Sequence, residues 1–108
     1  MTMDFCLVYT TLPDIKTAEN LARHLLSLKL IACANLLPEM KSFYEWKGEL
    51  AQDSECLLLL KTRQSLYKKL EKVIQEKHPY ECPCILQLSV HSGHEPFLKW
   101  VQDSIPQN

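Results

Sequence analysis

Two extended runs joined at Lys47-Gly48 constrain this chain more than any other feature. The stretch "LIACANLL", Leu30 to Leu37, is apolar without a helical period, is bounded by Pro38, and leads into the aromatic-rich "MKSFYEW". After the Lys47-Gly48 turn, "ELAQDSECLLLLKT" runs from Glu49 to Thr62, and its far half, Cys56 to Leu60, is apolar on both faces. The prediction is a hairpin of two long strands, the first bent near Pro38. Arms of roughly 15 residues far exceed the ordinary strand of about 5 or 6.

Helical and strand patterns alternate around this hairpin. "FCLVY", Phe5 to Tyr9, reads as a first strand closed by the turn and cap residues of "TTLPD". From Ile15 to Leu28 the apolar positions Ala18, Leu21, Ala22, Leu25 and Leu28 recur at three and four, which predicts an amphipathic helix. Leu66, Tyr67, Leu70, Val73 and Ile74 predict a second helix over Gln64 to Lys77. It stops there because His78 precedes Pro79, whose ring pushes the preceding residue out of helical backbone. "ILQLSVH", Ile85 to His91, alternates as a half-buried fourth strand, and Glu95-Pro96 opens a short terminal helix over "FLKWVQDSI".

The order strand, helix, strand, strand, helix, strand is the βαββαβ split βαβ pattern of the α+β ferredoxin-like fold, with a short C-terminal helix added. At 108 residues the chain reads as one domain, residues 1–108, hiding roughly 65% of its unfolded surface. Two helices cover one face of a four-stranded antiparallel sheet and leave the other face, apolar in its middle, without cover. That face and the overlong hairpin together predict a cyclic homo-oligomer.

Composition excludes several functions. Lys and Arg number 12 against 13 Asp and Glu, so no basic field exists to attract nucleic acid. The opening "MTMDFCLVYTT" lacks a basic leader, and no segment approaches the ~20 apolar residues of a membrane span. The five cysteines, Cys6, Cys33, Cys56, Cys82 and Cys84, follow no disulfide framework, so a reducing, cytoplasmic setting is expected. Cys6, Cys33 and Cys56 each sit in an apolar run, as small buried hydrophobes do. No Gly-rich phosphate loop, paired-carboxylate signature or nucleophile with its base and orienter is present, so no enzyme and no organic cofactor is expected.

Six blocks, "VYTTLPD", "LIACANLLP", "SFYEWKGEL", "SECLLLLKT", "HPYECPCI" and "FLKWV", resemble the CutA divalent-cation tolerance proteins along almost the whole chain. The resemblance implies a homotrimer of ferredoxin-like protomers, PII-like in design, whose hairpins pair edge to edge between neighbours. It also implies a non-catalytic role in tolerance of divalent metals, copper in particular. The alternative is a PII-like small-ligand sensor or trimeric scaffold in which metal binding is incidental. Copper ligation in bacterial relatives rests on a cysteine at the end of the first strand and a histidine pair before "PY". Here those positions are Thr10 and Lys77-His78, so only His78 carries over.

Two sites follow from the residues. His78, Cys82 and Cys84 fall within seven positions and offer imidazole and thiolate ligands suited to copper or another soft metal, although their spacing is no standard zinc pattern. Pro79 and Pro83 explain the same segment as a helix stop and a strand entry. The second candidate is a ligand cleft or subunit boundary built from Asn35, Tyr44, Trp46, Glu55, Lys61, His78 and Tyr80, polar interruptions of apolar blocks, with Cys33 beside them. Trp46 and Tyr80 offer stacking faces, Lys61 an anion partner, and Glu55 and His78 proton or cation partners. The expected partners are the chain itself and a metal ion or small ligand; nucleic acid and membrane are not.

Overall fold

The computed structural model describes residues 4–105. One four-stranded antiparallel sheet organises them, in the order β2-β3-β1-β4, from β1 (Cys6–Leu12), β2 (Cys33–Trp46), β3 (Glu49–Thr62) and β4 (Ile85–Ser89). Between them lie α1 (Ile15–Ser27) and α2 (Tyr67–Lys77), and α3 (Glu95–Ser104) closes the chain. This is the α+β split βαβ arrangement expected from the sequence. No helix among the described residues is long and apolar enough to cross a membrane.

Alternation in register separates the two sheet faces. Cys6, Val8 and Leu12 of β1 and Cys56, Leu58 and Leu60 of β3 point toward α1 and α2, where they pack with Leu21, Leu25, Leu70 and Ile74. Each fully buried leucine or isoleucine there contributes about 1.5–3 kcal/mol. Asp14 caps α1, its Oδ1 accepting the Thr17 N–H at 2.7 Å.

Leu30 and Ile31, expected to begin the second strand, belong instead to the exit of α1. Lys29 takes a left-handed φ of 60°, and the Leu30 N–H reaches back to the Leu25 carbonyl at 3.1 Å while that of Lys29 reaches Leu26. This Schellman-type cap buries Leu30 against Leu25, so pairing begins only at Cys33. The first strand runs to Leu12 rather than Tyr9, because Thr10, Thr11 and Leu12 continue the ladder opposite Leu58, Leu57 and Cys56. The second helix starts late: Gln64–Leu66 form a 3-10 turn whose Ser65 N–H and Oγ are both held by Asp4. The fourth strand ends at Ser89, two residues early.

The bend near Pro38 is a β-bulge. Register passes from Leu37 opposite Leu57 to Met40 opposite Glu55, so Pro38 and Glu39 together face Cys56, with Glu39 at φ 59°. At the tip, Lys47 (φ 51°) and Gly48 (φ 80°) form the two left-handed positions that a two-residue hairpin turn requires. The hairpin stretches the protomer to 47 × 27 × 22 Å and leaves Phe43, Trp46 and Leu50 exposed.

The opposite sheet face is not wholly bare, which amends the expectation that no helix covers it. Leu98, Val101 and Ile105 of α3 and its end pack with Phe5 and Leu7, and Lys61 Nζ lies 5.3 Å from the centre of the Phe97 ring. Leu7 and Lys61 face each other on that side, so α3 shields one end of it. Arg63 fixes the arrangement, donating to the carbonyls of Ile105 (2.8 Å) and Gln102 (2.7 Å) and pairing with Asp4 at 3.2 Å. The remainder, including Leu86 and Leu88, lies open.

Candidate functional site

Strand alternation puts Cys33, Asn35, Tyr44 and Trp46 of β2 on the same open face as Glu55 and Lys61 of β3. They do not form one cleft. Lys61 stands opposite Cys33 and near Asn35, at the end shielded by α3, whereas Glu55 lies six residues away, about 20 Å along the strand. Within the protomer, the basic and acidic members therefore occupy opposite ends of the face. Cys33 is half-buried, unlike the fully buried Cys6 and Cys56.

At the acidic end the tip half of the hairpin and the loop after α2 enclose a groove of about 740 Å³. Tyr44, Trp46, Ala51, Asp53 and Glu55 line it from the hairpin, Thr11 from β1, and Tyr80, Glu81, Cys82 and Cys84 from the loop. Four of the eight predicted cleft residues are absent from it: Cys33, Asn35, Lys61 and His78. Thr11, Ala51, Asp53 and Glu81 belong to the groove without having been singled out from the sequence. Asp53 and Ala51 were legible in principle, since they precede Glu55 by two and four positions on an alternating strand.

Internal hydrogen bonds order the groove. Glu55 Oε1 accepts from Ser42 Oγ at 2.6 Å and Oε2 from the Tyr80 hydroxyl at 3.0 Å, while the Tyr44 hydroxyl donates to Asp53. Among the described residues neither carboxylate enters a salt bridge. Desolvation, then the bond to Glu55 and its charge, push the Tyr80 phenol up to about 12. Desolvation first and Glu55 second also raise the Cys84 thiol above its ordinary value. A thiol so held is protonated, the reverse of an activated nucleophile.

His78 faces inward, only 8% exposed. Its Nδ1 accepts the Tyr80 backbone N–H at 3.2 Å, which leaves Nε2 to carry the proton and donate to the Thr11 carbonyl at 2.7 Å. Both ring nitrogens are thereby engaged, and His78 anchors the loop to β1. Cys82 and Cys84 instead are exposed and line the groove. His78, Cys82 and Cys84 do not form a three-ligand metal centre in the protomer: among the described residues no three His, Cys, Asp or Glu side chains are grouped to hold an ion. The groove's chemistry is acidic, aromatic and thiol-bearing, which favours cations over anions.

Comparison with known proteins places this geometry. A family model described as CutA1 divalent ion tolerance protein matches residues 6–104. The CutA homolog of Xenopus laevis is 42% identical over 99 residues, 92% of this chain and 66% of the frog protein, so the chain spans just under two thirds of that relative. The divalent-cation tolerance protein CutA of Pyrococcus horikoshii is 44% identical, covering 88% of this chain and 92% of its own. The crystal structure of CutA1 from Ehrlichia chaffeensis superposes with a TM-score of 0.93 at 34% identity, over 99% of this chain and 100% of that one.

Proposed function

The chain belongs to the CutA1 divalent ion tolerance family, and from that premise we propose that it acts in the cytoplasm as a non-catalytic homotrimer in divalent-cation tolerance, with copper as the principal metal. The open sheet face carries this reading. Tyr9, Leu57, Leu59, Leu86 and Leu88 form an apolar surface that α3 leaves uncovered, and the hairpin projects further apolar side chains. A surface of this kind marks an interface in a water-soluble protein. The edge strands β2 and β4 supply unpaired backbone for joining neighbours. Five free thiols suit a reducing compartment.

A second reading, a PII-like small-ligand sensor, is favoured by one observation: the groove of about 740 Å³ is large enough for an organic ligand.

Sedimentation equilibrium of the reduced protein, paired with competition titrations against Cu(I), Cu(II) and Zn(II), tests both parts. The expected result is a mass of three chains and saturable metal uptake. A monomer at micromolar concentration overturns the trimer, and a trimer that takes up none of the three metals overturns direct binding as the basis of tolerance.

A further inference from the structure

His78 is engaged at both ring nitrogens, yet two thiols beside it are free, exposed and turned into the same groove. We infer that Cys82 and Cys84 form a two-coordinate site for a thiophilic monovalent d10 cation, of which Cu(I) is the probe. This rests on the metal-tolerance reading above and names the ligands and oxidation state that reading leaves open.

Backbone geometry places the pair. Ile85 pairs with Thr10 and Leu86 with Tyr9, so Leu86 faces the open side of the sheet. Cys82 and Cys84 lie just before β4 with Pro83 between them, and both line the groove; extended backbone between them would set their Cα atoms about 6.6 Å apart. Pro83 between them fixes one backbone dihedral, which limits the freedom lost when both sulfurs meet one ion.

Ligand count and softness select the ion. Zinc and divalent copper need three or four ligands, and among the described residues no such group exists. Linear coordination by two thiolates is complete with the pair alone, and thiolate softness favours Cu(I). Binding replaces two S–H bonds with two S–Cu bonds: Cu(I) and two thiols give an anionic bis-thiolate and release two protons to solvent. The side chains facing the pair are Asp53 and Glu55 from β3, Tyr44 and Trp46 from β2, Thr11 from β1, and Tyr80 and Glu81 from the loop, none of them basic. Their negative charge attracts the incoming cation.

The test is anaerobic competition of the full-length protein against a chromophoric Cu(I) chelator, for the unaltered chain, Cys82→Ser with Cys84→Ser, Cys33→Ser and His78→Asn. One Cu(I) per chain with two sulfur neighbours by X-ray absorption is expected. Affinity should fall in the double variant by more than the ~10–100-fold that outer-shell partners account for, and stay unchanged in Cys33→Ser. His78→Asn should keep the Cu(I) stoichiometry; if it fails to fold, sulfur-only coordination in the unaltered chain carries the same point, and a nitrogen neighbour there overturns it. Uptake undiminished in the double serine variant overturns the dithiol site while leaving metal tolerance standing. Absence of Cu(I), Cu(II) and Zn(II) uptake by the unaltered chain overturns both.

Discussion

Tyr80 donates its phenolic O–H to Glu55 Oε2 across 3.0 Å, tying the loop that follows α2 to the open face of β3. This bond closes one wall of the acidic groove and orients the Glu55 carboxylate, whose other oxygen Ser42 holds.

Glu55→Gln should bring the Tyr80 titration down from about 12, but not fully to the ordinary tyrosine value of ~10, because desolvation is the larger cause and persists. Ultraviolet difference titration, with Tyr80→Phe identifying the residue, reads the midpoint. The sign for stability follows: the raised folded-state value makes Tyr80's contribution complete below pH ~10 and lost as pH climbs through about 12.

Leu86→Lys should abolish the proposed trimer without unfolding the chain. Leu86 is 52% exposed in the protomer, so a lysine there costs the isolated fold only about 0.5 kcal/mol or less. Sedimentation should show single chains with an unchanged far-ultraviolet circular dichroism spectrum; an intact trimer would remove Leu86's face from the interface.

Arg63→Ala should destabilise the protein by about 3 kcal/mol, because it strips two charge-assisted bonds from the last carbonyls around α3 and the Asp4 pair. Urea denaturation gives the value. Asp4 supplies a pH dependence: burial raises its carboxyl, but Ser65 and Arg63 outweigh burial and hold it below the usual range. Its stabilisation is therefore present above the unfolded-state value near 4 and lost as pH falls through the folded one. The stability gap between the unaltered chain and Asp4→Asn should accordingly close in acid.

His78→Ala should lower stability by about 2 kcal/mol, leaving the Thr11 carbonyl and Tyr80 N–H without their buried partner. Hydrogen exchange should quicken locally, at the Tyr80 amide. Unaltered exchange there would show that the loop is held by Tyr80–Glu55 alone.

Lys29→Gly should stabilise by about 0.5 kcal/mol, the balance of a left-handed penalty of ~1–2 kcal/mol against a glycine entropy cost of ~0.5–1 kcal/mol. Lys29→Val should instead destabilise, since a branched side chain tolerates φ 60° least. Paired thermal melts of the two variants decide it.

Periodicity alone determined much of this protein. Spacing of three and four fixed the helical stripes of Leu21 and Leu25 and of Leu70 and Ile74, because only those positions share a helix face. Lys47-Gly48 and Pro79 marked the hairpin tip and the end of α2, because their backbone preferences act within a residue or two. Local signals of that kind are carried by the residues themselves. The exit of α1 was harder, since Leu30 looks like a strand residue until Lys29 turns it back onto Leu25. Only tertiary structure decided the site. Cys82 and Cys84 meet Tyr44 and Glu55 because β4 and β3 flank β1, with Leu86 and Leu59 both opposite Tyr9. The same register keeps Lys61 at the far end of the face from Glu55. Which distant side chains share a groove depends on strand order and on a bulge at Pro38 and Glu39, and no local propensity encodes either.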